Sequence, residues 1–449
     1  MPHIVLLGTL DSKLKEILYL REQILSPLYQ GLGEFKVTLI DCGRSPVPDQ
    51  AVTICQSELV SRYGDLDDPL KLSNMPRGEV VKFMATCATA CVRDLVKNGG
   101  VHGIISAGGT GGTSLTSAVM REAAPIGMPK MICSTVASGD TGPIVGETDI
   151  TMMYSVVDIA GSNALLRNVL GNAAGAMVGM AAAYEKFLEA ENQQKLFGTE
   201  EGSMPTPPKK RVAVTMFGVT TPCVDKVREY LEREYPVEVI VFHATGHGGR
   251  AMERLVEEGR IDAVLDITTT ELCDLMMGGN MSAGPTRLEA ALKAGLPNVL
   301  SLGATDMVNF GPKGTVPEKY KERNLFEHNP TVTLMRTTEE ECEKLGALIA
   351  DKVKKYAKEP KKVQIRIPKG GVSMISTPEG PFADDLADMA LFEALKRGLE
   401  GTGVFVVEDD RDINSDGFAV AIAEQLVQVM AVRTRQKKAK PPDDLPLFG

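Results

Sequence analysis

Apolar residues in this chain fall mostly in short unbroken runs, each followed by a stretch with helical spacing. "HIVLLGT" (3–9) is apolar and β-branched up to its glycine, and "KLKEILYLREQIL" (13–25) then repeats apolar positions at helical intervals. An unbroken run predicts a strand buried on both faces, and the 3.6-residue period predicts a helix packed over it. The alternation continues with strands predicted at "KVTLIDCG" (36–43), "GIISAGG" (103–109) and "KMICSTV" (130–136), and helices around 78–98, 113–124 and 162–188. Strand–helix repetition of this kind predicts an α/β fold with a parallel sheet covered on both faces.

The pattern then breaks and restarts. Residues 189–210, "EAENQQKLFGTEEGSMPTPPKK", lose their periodicity and gather Glu, Gln, Pro and Lys, which predicts a linker. A second series follows: strands at "RVAVTMFG" (211–218), "VEVIVFHATG" (237–246), "DAVLDITTTE" (262–271), "NVLSLGATD" (298–306), "TVTLMRTT" (331–338), "GVSMIS" (371–376) and "VFVVEDD" (404–410), with a helix from about 222. The predicted organisation is an N-terminal domain over 1–188, the linker at 189–210, a C-terminal domain over 211–434, and a tail at 435–449.

The restart carries a register. Residues from 111 onward align with those from 279 onward at a constant offset of 168, so that Gly127-Met-Pro129 falls on Gly295-Leu-Pro297, Ala123 on Ala291 and Ser138 on Asp306. Each copy reads as Gly-rich loop, helix, Gly-x-Pro, strand and polar loop. This predicts two doubly wound, Rossmann-like domains related by duplication.

Composition narrows the function classes. The formal net charge of −10 in 449 residues argues against a broad surface for nucleic acid or anionic membrane. Aromatic content of 5% with no Trp weakens base stacking further. The eight cysteines are scattered without a C-x-x-C pair, and the start lacks a secretory pattern, so the expectation is reduced thiols in a cytoplasmic protein. No stretch approaches the roughly 18 apolar residues of a membrane span.

In an open parallel sheet, ligands sit beyond the carboxyl ends of the strands. In the first half those ends carry Gly8, Thr9 and Asp11, then Asp41, then "SAGGTGGTSL" (106–115), then "STVASGD" (134–140). Helix starts at that edge favour an anion. Gly108, Gly109, Gly111 and Gly112 would let the backbone approach a phosphate, or turn with positive φ, while Thr110 and Thr113 offer hydroxyls. The loop is neither a P-loop nor G-x-G-x-x-G, so a tight turn stays open beside a phosphate site. Asp41 suits a ribose or a metal-bound water, or a helix cap. Asp140, close to Ser138, suits Mg²⁺-bound water or a turn.

The second half concentrates side-chain chemistry. His243 closes a predicted strand, His247 follows in a loop, and Arg250 opens a helix; Glu271, Arg287, Asp306, Asn309 and His328 fall in loops predicted on the same edge. Gly246 and Gly248 argue against a helix at the histidine pair, and hence against an H-E-x-x-H zinc site. No metal ligand set is predicted. One reading is a pocket for a small acid or carbonyl compound, with His243 and His247 as acid/base groups, Glu271 beside them, and Arg250 and Arg287 as clamps. The plainer reading is polar capping of strand-to-helix turns. Cys223, at a predicted helix start, is a weaker nucleophile candidate.

These segments resemble a known family. "GTLDSK" (8–13), "SAGGTGGTSL" (106–115), "YSVVDIAGSN" (154–163), "MFGVTTPCV" (216–224), "FHATGHGGRAME" (242–253), "DITTTELCD" (266–274), "SLGATDMVNFG" (301–311) and "HNPTVTLMRTT" (328–338) occur in order along nearly the whole chain. They are similar to the ATP-binding domain family that includes the N-terminal part of a plant tobamovirus-resistance protein and many uncharacterised microbial proteins. The resemblance implies two α/β domains, ATP and Mg²⁺ in the first, and a homodimer. It implies nucleotide contacts at Thr9, Asp11, Gly109, Thr110, Gly111, Gly112 and Thr113, and at Asp41, Ser138 and Asp140. Thr110 stands where many relatives carry Ser. The expectation is an ATP–Mg-binding protein that couples nucleotide to chemistry on a small metabolite in the second domain. The alternative is a non-catalytic protein whose nucleotide sets its binding to a protein partner.

Overall fold

The computed structural model describes residues 1–65, 70–161, 163–197 and 209–433. The chain divides into two compact units, Met1–Thr206 and Pro207–Gly449. Among the described residues, no helix is long and apolar enough to cross a membrane.

The first unit holds five parallel strands: β1 (His3–Gly8), β2 (Lys36–Asp41), β3 (Gly103–Gly108), β4 (Lys130–Ser134) and β5 (Ile150–Tyr154), in the order β2-β1-β3-β4-β5. Alternate residues face opposite layers. Val5, Leu7, Ile104 and Ile132 pack under the helices Arg77–Lys97 and Thr110–Ala123. Ile4, Leu6, Ile105 and Met131 pack under Leu10–Ile24 and Ala164–Phe197. That two-sided burial explains why β1 and β3 read as unbroken apolar runs. β5 carries no unbroken apolar signal, because "ITMMY" lies at the sheet edge and is only partly buried. The predicted linker also begins too early. The last helix continues to Phe197, since "EAENQQK" is polar but free of Gly and Pro. The rest of that segment up to 208, and the predicted tail, lie outside the described residues.

The second unit has a six-stranded parallel sheet. Its strands are β6 (Lys210–Met216), β7 (Val237–His243), β8 (Ala263–Thr268), β9 (Asn298–Gly303), β13 (Val363–Pro368) and β14 (Phe405–Asp409), ordered β7-β6-β8-β9-β13-β14. Between β9 and β13 the chain forms a separate antiparallel sheet, β10-β12-β11, from β10 (Met307–Phe310), β11 (Leu325–Asn329) and β12 (Val332–Arg336). The predicted strand at 331–338 therefore belongs to this small sheet. The predicted strand at 371–376 is a loop, folded around Ser376 Oγ, which accepts from Val372 N–H and Ser373 N–H at 2.9 Å each. The strand missed nearby is β13, "VQIRIP".

The strand order of the first sheet recurs in the second, with β14 added beyond β13. The Gly-x-Pro register recurs in the same bond: Pro129 C=O accepts from Ile104 N–H, and Pro297 C=O from Val264 N–H, both at 2.9 Å. Gly127 and Gly295 both hold positive φ, at 92° and 66°. The same bond sets Ile104 beside Val264, an offset of 160, so the expected offset of 168 holds from the Gly-x-Pro onward but not back to the glycine loop. Counted from the strand ends, Gly111 corresponds to Glu271 rather than Gly279.

Candidate functional site

The switch point of the first sheet lies between β1 and β3, where the connections leave in opposite directions. A cavity of about 440 Å³ opens there, lined by Thr9, Asp11, Ser12, Cys42, Arg44, Arg77, Val80, Val81, Gly111, Gly112 and Leu115. The lining comes mainly from the first turns of three helices, Leu10–Ile24, Arg77–Lys97 and Thr110–Ala123. In none of them does the N-cap residue (Thr9, Pro76 or Gly109) supply a side-chain cap. A helix start leaves its first N–H groups without intrahelical partners and carries partial positive charge, so three such starts around one space favour an anion.

The glycines settle between turn and approach. None of Gly108, Gly109, Gly111 and Gly112 is left-handed, so the expected positive φ is corrected: these residues simply leave the strand and begin a helix. Packing does not demand three of them either. A Cβ at Gly109, Gly111 or Gly112 would meet nothing closer than 3.6 Å. Gly8 differs, because a Cβ there would stand 2.9 Å from Ile17, and Gly108 lies against Gly112. At Gly111 and Gly112, a missing side chain keeps the backbone open to the cavity.

The polar residues divide. Asp41 is fully buried, and its Oδ1 accepts from Leu10 N–H (3.3 Å) and Gly43 N–H (2.9 Å), tying the ends of β1 and β2 together. Its Oδ2 is buried without a hydrogen-bond partner. Burial pushes this carboxyl above its usual range, with the charge of Asp11 adding to the shift. Asp11 accepts from Arg44 N–H at 2.9 Å, and Arg44 donates from its guanidinium to Met75 C=O at 2.9 Å. Arg77 is exposed, with Nη2 3.6 Å from the place a Gly111 Cβ would take. Thr113 is buried and turned to the strand ends, 2.7 Å from Ser134 Oγ. Ser138 is exposed, and Asp140 closes a turn on Gly142 N–H at 2.9 Å; neither lines the cavity. Arg44, Arg77 and the apolar wall were not foreseen. "MPRG" (75–78), a proline and glycine bracketing an arginine at a helix start, was the available signal.

In the second unit the expected pocket residues are engaged with one another. Arg287 is fully buried and forms a bidentate pair with Asp266, Nη1 to Oδ2 at 2.5 Å and Nη2 to Oδ1 at 2.6 Å. Its Nε donates to Glu271 at 2.6 Å, and Nη1 also reaches Glu253 at 3.4 Å. Burial opposes the charge of Arg287, but these carboxylates hold its proton well above the usual range. Burial raises Glu253, against the pull of Arg287. Glu271 Oε1 also accepts from Gly246 N–H (2.7 Å) and Gly249 N–H (3.1 Å). A Cβ at Gly249 would collide with the Glu271 carboxylate, and one at Gly248 with His243 C=O. That crowding accounts for the glycines, and His247–Glu257 is a helix that carries them, contrary to expectation. Glu271 and Arg287 thus form internal structure rather than a substrate clamp.

His243 and His247 are both exposed; the ring of His243 lies 5.7 Å from Phe217, and Arg250 Nη2 lies 3.0 Å from His247 Nδ1. Arg250 also donates to Ser282 C=O at 3.0 Å. His328 sits on β11, away from the parallel sheet it was expected to edge. Cys223 is buried, and burial raises its thiol, so the helix start does not activate it. Burial also pushes Asp274 and Asp306 up to about 7, despite bonds from Asn309 to the first and Arg336 and Ser373 facing the second. Among the described residues, no three His, Cys, Asp or Glu side chains gather as a metal-holding group. A cavity of about 660 Å³ lies against the helix Glu339–Tyr356, and none of the expected site residues lines it.

Comparison with known proteins identifies both halves. Models of the uncharacterised protein family UPF0261 match the chain, the N-terminal domain over residues 2–186 and the C-terminal domain over 209–430. A UPF0261 protein of Clostridium tetani is 44% identical over 95% of this chain and 98% of its own length. The ToMV resistance protein Tm-1(GCR237) of Solanum lycopersicum is 38% identical over 98% of this chain, which spans 57% of that protein. A UPF0261 protein of Mesorhizobium japonicum is 39% identical over 94% of this chain and 98% of its own length.

Two outcomes follow from the second-unit geometry. Arg287→Met strands the carboxylates around it and is expected to cost about 3–5 kcal/mol in urea unfolding; a loss under about 1 kcal/mol would show that the cluster holds nothing. Asp306, raised from 3.8 to about 7, binds a proton in the native state that the unfolded chain has released. Its contribution is complete below the unfolded pKa and is lost as pH rises through the folded one. Stability should therefore fall between about pH 4 and pH 7, and Asp306→Asn should flatten part of that fall; an unchanged slope would contradict the assignment.

Proposed function

The chain belongs to the UPF0261 family, and we propose that within it this protein binds ATP with Mg²⁺ at the first-domain switch point. The observation that carries this reading is the convergence of three helix starts on a cavity where Gly111 and Gly112 lay the backbone bare. The residues present fit the group. First-turn N–H groups that lack an intrahelical partner, Leu10 N–H excepted because Asp41 takes it, and the guanidinium groups of Arg44 and Arg77 suit the phosphates. Cys42, Val80, Val81 and Leu115 give an apolar wall for an uncharged part of the nucleotide. Asp11, and Asp41 with its unpartnered Oδ2, suit Mg²⁺, which commonly takes one or two carboxylates besides phosphate oxygens. The bound ion would neutralise phosphate charge.

Whether nucleotide is consumed is a separate part of the proposal. Asp266, Glu271 and Arg287 are committed to one another, which favours a nucleotide-responsive binding protein over an enzyme that uses Glu271 and Arg287 on a small acid. A homodimer in the cytoplasm belongs to the same reading. The test is calorimetric titration with ATP, with and without Mg²⁺, on the wild type and on Gly111→Val/Gly112→Val. Micromolar binding strengthened by Mg²⁺ and lost in the variant is expected. Absence of binding in the wild type, or equal binding in the variant, would refute the reading.

A further inference from the structure

The shared strand order lets the two switch points be compared residue by residue. Gly111 stands three residues past the end of β3, and Glu271 three residues past the end of β8. Each lies in the first turn of the following helix. In the second unit, the Glu271 carboxylate reaches the start of the preceding helix, His247–Glu257. There it accepts from the N–H groups of Gly246 and Gly249 at 2.7 and 3.1 Å, and takes Arg287 Nε at 2.6 Å. It is held as a foreign anion would be, by backbone donors at a helix start and by a guanidinium.

Among the described residues, the first unit has the same corner with no carboxylate in the place of Glu271. The helix preceding β3 is Arg77–Lys97, the residue at the Glu271 position is glycine, and the space is part of the cavity. The guanidinium there is Arg77, 3.6 Å from the virtual Cβ of Gly111. The remaining lining, from the start of Leu10–Ile24 and from Arg44, extends beyond what one carboxylate fills.

We propose that the first domain binds an anionic group of its ligand where the second domain carries its own Glu271 carboxylate, with Arg77 as the residue that selects for it. The second-domain corner is closed by that carboxylate and takes no ligand. The further donors along the cavity make the class a chain of two or more phosphates rather than a lone carboxylate. This rests on reading the first-domain cavity as an anion site, but not on the ligand being ATP.

The test needs no ligand at first. Gly111→Glu should supply the missing anion, and Gly111→Gln is its uncharged control; space around the Cβ lets both fold. Thermal unfolding should place the glutamate variant above the glutamine variant at low salt. That margin should shrink at high salt and disappear when Arg77→Gln is added. A glutamate variant melting at or below the glutamine variant, or a margin indifferent to Arg77, overturns the position. Tripolyphosphate and ATP are then titrated into wild type and Arg77→Gln. At least a tenfold loss of affinity is expected, and equal affinity overturns the clamp. A persistent glutamate margin with no ATP binding would sink the nucleotide reading alone, whereas ATP binding without the margin would sink this one alone.

Discussion

A helix that starts at the carboxyl edge of a parallel sheet presents N–H groups that its own residues cannot satisfy. Something negative or polar has to meet them, and the two domains of this protein do so differently. In the second, Glu271 folds back onto the start of the neighbouring helix, and that carboxylate then needs a cation. Arg287 supplies it, and Asp266 and Glu253 complete the shell around a guanidinium with no solvent contact. Gly249 exists to make room for the arrangement, which fixes the ends of β7 and β8 and the loops beyond them. In the first domain Asp41 takes Leu10 N–H at the same edge, but the position of Glu271 is held by Gly111, and the helix starts surround a cavity.

This contrast reverses the functional weighting suggested by side-chain chemistry alone. Scarce histidines, an arginine and several acids near one sheet edge look like a catalytic pocket. The acids and Arg287 are instead bound to each other, while His243 and His247 are exposed. The plainer glycine-rich loop of the first domain borders open space. Charge clusters that satisfy themselves are structural, and helix starts that open on a cavity are the better guide to a ligand.

The sequence made the architecture legible wherever burial was two-sided. β1, β3 and β8 are buried along their whole length and mostly apolar because both faces are covered, and the Gly-x-Pro repeat marked a bond that recurs in both sheets. Edge and half-covered elements were lost: β5 is partly exposed, and β13 alternates as "VQIRIP" among charged neighbours. The loop at 371–376 looked like a strand, since a serine capping two N–H groups leaves no periodic mark. At the site, glycine positions were visible but their reason was not. A packing glycine such as Gly8 and an open one such as Gly111 look alike until the neighbours of an added Cβ are known. Arg44 and Arg77 were missed because both come from segments distant in sequence from the glycine loop. The commitment of Glu271 to Gly246 and Gly249 is likewise tertiary.

The central claim is that the starts of Leu10–Ile24, Arg77–Lys97 and Thr110–Ala123 together receive an anionic ligand. Amide hydrogen exchange with and without ATP–Mg²⁺ measures it most directly, because the proposed donors are the exchanging N–H groups themselves. The account predicts slower exchange at all three starts and little change at 244–250, where Glu271 already accepts. Unchanged exchange at the three starts, or protection centred on 244–250, would contradict it.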